Sequence, residues 1–128
     1  MASTNSNLSV SLNGIDPGAP VTLQLVITAL AGDDPRTTVT LWDGNDLLTD
    51  SPDDILQSDG VPLGHAGALQ GNKITVFSYI MKRAAASDAT IAYIFKAQGK
   101  VLPVTPESVT GANPGNQEEV FNTKVKFN

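Results

Sequence analysis

The stretch VTLQLVITALA, residues 21–31, decides how this chain is read. Val21, Leu23, Leu25, Ile27 and Ala29 alternate with Thr22, Gln24, Val26 and Thr28. An apolar residue at every second position marks a strand with one buried face, because successive side chains leave an extended backbone on opposite sides. This is also the longest apolar stretch in the chain, and it is far too short to cross a bilayer as a helix. No membrane span is expected.

The same period recurs on both sides of it. Leu8, Val10 and Leu12 alternate with Ser9, Ser11 and Asn13, and Asp16-Pro17-Gly18 supplies the turn between this strand and the next. Gly32-Asp33-Asp34-Pro35 leads into a third strand over Thr37 to Trp42. Near the C-terminus Phe121, Thr123, Val125 and Phe127 face one way, with Asn122, Lys124 and Lys126 facing the other, as on an exposed face or a protected edge.

The middle of the chain reads differently. Ser51-Pro52-Asp53-Asp54 places a capping residue, a first-turn proline and two carboxylates in order, which predicts one short helical turn over residues 52–57. The stretch 60–72, with four glycines and one proline, reads as an irregular connection. Lys73 to Arg83 is apolar on both faces and predicts a mid-sheet strand covered on both sides. For residues 89–98, helical spacing and strand alternation compete; Ile91, Tyr93 and Phe95 are good strand formers and favour the strand. Residues 105–119, rich in Pro, Gly, Asn and Glu, read as a mobile loop.

A length of 128 residues suits one domain, 1–128, with a core large enough to need no staple. There is no cysteine, hence no disulfide and no thiolate ligand. No secretory leader is visible in the first residues, and together with the missing cysteines this favours a cytoplasmic setting. The Asn7-Leu8-Ser9 sequon then reads as chance. Residues 1–64 carry nine acidic and one basic side chain, and residues 65–128 four acidic and seven basic; −8 and +3 give the net −5. Nucleic acid is disfavoured as a partner, since phosphate binding needs a clustered basic surface and Lys82-Arg83 is the only adjacent basic pair.

About seven strands with turn signals between them predict an all-β, antiparallel β-sandwich. On Val21–Leu30, Thr37–Trp42 and Phe121–Phe127 the pattern resembles the immunoglobulin-like or fibronectin-type sandwich superfamily. That resemblance implies a buried tryptophan on the third strand, the position of Trp42, whereas the paired cysteines of such domains are missing. It implies architecture only and brings no active site with it.

Two groups of residues invite a functional reading. Asp33, Asp34, Asp43, Asp46, Asp50, Asp53, Asp54 and Asp59 are eight of the thirteen acids, set in a short stretch beside the single base Arg36. Loops at one end of a sandwich could hold Ca2+ with Asp33, Asp34, Asp43, Asp46 and Asp50, since calcium takes six to eight oxygens. Turn formation and helix capping account for the same residues without a metal. The lone His65, flanked by glycines, suits a ligand contact or a general base, but no nucleophile motif accompanies it and no catalytic set is expected. Trp42 and Asn45, beside the acidic turn, would join His65 as ligand-binding candidates, with Trp42 stacking on a sugar. The sequence thus predicts a non-catalytic interaction or structural module, capable of self-association, with no required cofactor. The alternative is a calcium-dependent module for carbohydrate or another ligand, built on the acidic loops at 32–59.

Overall fold

The computed structural model describes residues 2–28, 36–41, 46–48, 60–82, 88–111 and 117–128. Their strands are β1 (Ala2–Val10), β2 (Pro20–Thr28), β3 (Arg36–Leu41), β4 (Asp46–Leu48), β5 (Val61–His65), β6 (Lys73–Met81), β7 (Ala89–Ala97), β8 (Lys100–Val101), β9 (Val104–Thr105), β10 (Ser108–Gly111) and β11 (Glu118–Phe127). Seven of these, β1, β2, β3, β5, β6, β7 and β11, are five residues or longer. One four-residue helix, α1 (Ala66–Leu69), follows β5. The chain is an all-β sandwich of two sheets. The larger has the order β4-β3-β6-β11-β1-β9 and the smaller β10-β7-β2-β5, with β8 added to β7. Pairing is antiparallel except between β1 and β11, which run parallel from Ala2↔Glu119 to Val10↔Phe127.

Alternation turns directly into layers. Val21, Leu23 and Leu25 of β2 meet Ile91, Tyr93 and Phe95 of β7 on the inner face of the smaller sheet, all of them buried. Ile74, Val76 and Ile80 of β6 and Phe121, Val125 and Phe127 of β11 line the facing sheet. Phe95 and Phe127 meet edge to face across the gap, with ring centroids 5.8 Å apart and planes at 88°. Burying each such side chain contributes roughly 1.5–3 kcal/mol. The end of β11 is also clasped by backbone bonds: Asn128 N–H donates to Val10 C=O at 2.8 Å, and Leu12 N–H donates to Asn128 C=O at 2.8 Å.

Residues 89–98 resolve as strand. β7 is interior to its sheet, and Gln98-Gly99 (φ 53° and 71°) form the two-residue turn that folds β8 back onto it. Gly99 therefore closes a hairpin.

Three expectations are corrected. The stretch 60–72 contains a strand and a helix, because Val61 and Leu63 are inward-facing core residues and Ala66 and Leu69 pack beneath them. Pro62 disguises the strand; it is tolerated because β5 is a sheet edge, where a missing N–H leaves no ladder bond broken. Residues 105–119 hold β10 and the start of β11 rather than one continuous loop, with residues 112–116 outside the described set. β6 does lie mid-sheet, between β3 and β11, but only one of its faces is covered: Phe77 is 43% and Met81 39% exposed. The helical turn expected at 52–57, and Trp42, lie outside the described residues.

Gly60 admits the start of β5 to the sheet. It has φ +67°, and a Cβ there would stand 2.4 Å from the Leu23 carbonyl oxygen. Gly60→Ala is expected to lower the urea midpoint, with a loss on the order of 1–3 kcal/mol for the forced backbone shift. A midpoint equal to wild type would show that β5 can dock without this close approach.

Candidate functional site

The outer face of the six-stranded sheet holds the most distinctive grouping of surface side chains in the described residues. Register builds it. Lys73 of β6 lies directly opposite Lys126 of β11, and Thr75 lies opposite Lys124. On the other side of β11, Asn5, Asn7 and Ser9 of β1 stand beside Asn122, Lys124 and Lys126. Thr105 of β9 then extends the row beside Ser9. Alternation places all of these outward, since the intervening residues of β11 and β1 carry the core. An open groove of about 270 Å³ lies here, lined by Asn7, Ser9, Lys73, Thr105, Lys124 and Lys126 with Leu8. A second, of about 160 Å³, adjoins it over Asn5, Ser6, Asn7, Asn122 and Lys124. The Asn122 Oδ1 atom is buried there and has no hydrogen-bond partner among the described residues.

Farther along the strands the same face turns apolar. Phe77 is opposite Asn122, Tyr79 opposite Val120 and Met81 opposite Glu118. Removal from water, reinforced by a hydrogen bond with Glu118 and the charge of its carboxylate, raises the Tyr79 phenol above its ordinary value. The face thus grades from an aromatic and methionine strip to a basic, amide-rich groove.

The interior carries a second polar feature. Tyr93 Oη reaches from the smaller sheet to Thr123 Oγ1 at 2.8 Å, and Ser6 Oγ lies 2.9 Å from the same hydroxyl. Toward the start of β11, Thr4 Oγ1 donates to Glu119 Oε1 at 3.2 Å, and Lys82 Nζ lies 3.7 Å from Glu119 Oε2, both side chains being fully buried. Gly111 makes room for this carboxylate, because a Cβ at that position would stand 1.8 Å from Glu119 Oε1. Lys82, half of the only adjacent basic pair in the sequence, is therefore an interior ion-pair partner rather than a surface charge.

Of the residues singled out from the sequence, only Asp46 and His65 are among those described. Asp33, Asp34, Trp42, Asp43, Asn45 and Asp50 lie outside the described residues, and Asp46 is placed only as the first residue of β4, paired with Thr40. His65 is exposed at the end of β5, where its Nδ1–H donates to the Gly18 carbonyl at 3.0 Å. Among the described residues no three His, Cys, Asp or Glu side chains gather as a metal site would require. Nor is any helix among them long and apolar enough to cross a membrane.

The lysine groove was not singled out from the sequence. Its signal was half visible in Lys124 and Lys126, which share one face of a strand; Lys73 joins them only through the β6–β11 register, which no local pattern encodes. Comparison with protein-family models, with curated proteins and with solved structures finds no match to this chain.

Proposed function

We propose that the chain is a non-catalytic interaction module, and that its contact surface is the outer face of the six-stranded sheet. The observation that carries this is the gathering of Lys73, Lys124 and Lys126 around one groove on a chain of net charge −5. A positively lined groove on an acidic chain is where a carboxylate-bearing partner gains most from attraction. The adjoining Phe77, Tyr79 and Met81 supply the aromatic and methionine surface in which protein interfaces are enriched. A non-catalytic reading is supported at His65 as well, whose Nδ1 is engaged by a backbone carbonyl and which lies on the other sheet. The two-sheet architecture suits the immunoglobulin-like likeness, in which faces and loops rather than buried clefts bind partners.

The test is an amide chemical-shift titration with a glutamate-rich decapeptide as probe. Shifts are expected to concentrate on Asn7, Ser9, Lys73, Lys124 and Lys126 and to leave His65 unmoved. They should weaken as salt rises from about 0.05 to about 0.5 M, where the screening length becomes shorter than the groove. Shifts scattered over both sheets, or their absence, would remove this face as the contact surface.

A further inference from the structure

We infer that the two adjoining grooves take an acidic oligosaccharide, a chain of sugar rings bearing both hydroxyls and carboxylates, whose hydroxyls are read by the amides of β1 and β11. This rests on the reading of that face as a contact surface and names the chemistry of its ligand. Three observations lead to it.

The first is the amides. Asn5, Asn7 and Asn122 line the smaller groove, and Asn5 lies directly opposite Asn122 in the parallel β1–β11 register. Asparagine is depleted in strands, yet three stand together on one face of two neighbouring ones. Asn5 and Asn7 are exposed, and the Asn122 Oδ1 atom has no hydrogen-bond partner among the described residues. A buried polar atom left in that state costs the free fold stability, and such costs are tolerated where a residue serves a site. Each amide offers two donors and an acceptor, whereas an ionised carboxylate only accepts. Hydroxyls both donate and accept, so they alone use the amides in full.

The second is the ring beside them. Phe77 of β6, Asn122 of β11 and Asn5 of β1 form one cross-strand row, with Phe77 exposed at its end. Two strand spacings, about 10 Å, carry the row from an aromatic ring to two amides. A sugar ring matches this order, because it presents C–H bonds on one face and hydroxyls around its edge. The third is charge at a distance. Lys126, exposed and opposite Ser9, lies on the same face of β11 four residues beyond Asn122, or about 13 Å along the strand. Thr105 stands next to Ser9 and adds a further hydroxyl. A ligand that meets both ends is elongated, polyhydroxylated and anionic, which is the description of an oligouronate.

Calorimetric titration of the full chain with galacturonate, mannuronate and guluronate trimers, with amide shifts recorded alongside, tests the inference. At least one trimer is expected to bind at least tenfold more tightly than the glutamate-rich decapeptide, with shifts at Asn5, Asn7, Phe77, Asn122 and Lys126. Its methyl ester, which keeps the ring hydroxyls and loses the charge, should bind at least tenfold more weakly than the acid. Asn5→Ala/Asn7→Ala, at exposed positions where the fold is not at stake, should weaken the trimer at least fivefold and leave the decapeptide unchanged. Phe77→Leu, which keeps apolar bulk and removes the ring, should do the same. Lys126→Gln should weaken both ligands. If the decapeptide shifts this face and no trimer binds more tightly, the contact face stands and the saccharide is wrong. Trimer binding untouched by the asparagine and phenylalanine variants, or an ester that binds as well as the acid, also overturns the inference. No shift with any of these ligands removes the contact face as well.

Discussion

Glu119→Ala and Lys82→Ala are each expected to destabilise the fold by about 3–5 kcal/mol, measured by urea unfolding, since each strands a charge inside the sandwich. Both side chains have no exposed surface, and their charged atoms stand 3.7 Å apart. Removing a buried charge from water costs several kcal/mol, which the partner, together with the Thr4 hydroxyl at Glu119, offsets in the native state. Deleting one member leaves the other charge buried without its counter-ion. Replacing both by apolar residues of similar volume, Lys82→Met with Glu119→Leu, removes the penalty along with the attraction. It should give a protein within about 1 kcal/mol of wild type, or more stable by about 1–4 kcal/mol. The cycle of single and double variants then isolates the coupling, which for residues in contact reaches a few kcal/mol. Single losses under about 1 kcal/mol would mean that water reaches the pair. Gly111→Ala probes the same site from the opposite sheet, because its methyl would drive the Glu119 carboxylate from its position.

This ion pair shows which part of the molecule the sequence made legible. Glu119 has the same parity as Phe121, Thr123, Val125 and Phe127, so alternation already directs it into the core. Lys82 likewise has the parity of Ile74, Val76 and Ile80. Parity carries both charges inward, but composition reads residues 105–119 as a loop and Lys82-Arg83 as a basic pair, and so hides them. A two-residue period is enforced by strand geometry, whereas a residue's average preference for water yields to its position. The same period gave the sandwich and the strand assignment of β7. It failed at β5, where Pro62 and Gly64 interrupt the pattern in a strand that needs few ladder bonds.

The lysine groove fails to show in the sequence for a different reason. Its residues come from β1, β6, β9 and β11, and the β1–β11 pair joins positions more than a hundred residues apart in parallel register. Strand alternation says which face a side chain occupies, not which strand lies beside it. The acidic segment, by contrast, is contiguous and therefore visible at once. A contiguous charge run attracts a site reading early, whereas a surface assembled from four strands emerges only after the strands are ordered.

Stability should fall with alkaline pH through a single buried phenol. Tyr93, 2% exposed, has its pKa pushed up to about 12 from 10.0, because burial disfavours the phenolate more than the Thr123 hydrogen bond favours it. The unfolded chain releases this proton near pH 10 while the native state holds it to about 12. Between those values the native state binds more protons than the unfolded state, so stability drops as pH rises. The contribution is complete below pH 10 and is lost through about pH 12, and a displacement of that size corresponds to about 3 kcal/mol. Tyr93→Phe removes the titration. At pH 8 it forfeits the bond to Thr123, whose hydroxyl keeps Ser6, and should be less stable by about 1 kcal/mol. At pH 12 wild type has given up more than that, so the two stability curves must cross between 10 and 12, with the variant the more stable above the crossing. Taking the difference between the two proteins cancels the titration of the lysines and of Tyr79, which both share. Parallel curves across the window would mean that the Tyr93 ring opens to solvent before it loses its proton, and the seam between the sheets would then be a mobile one.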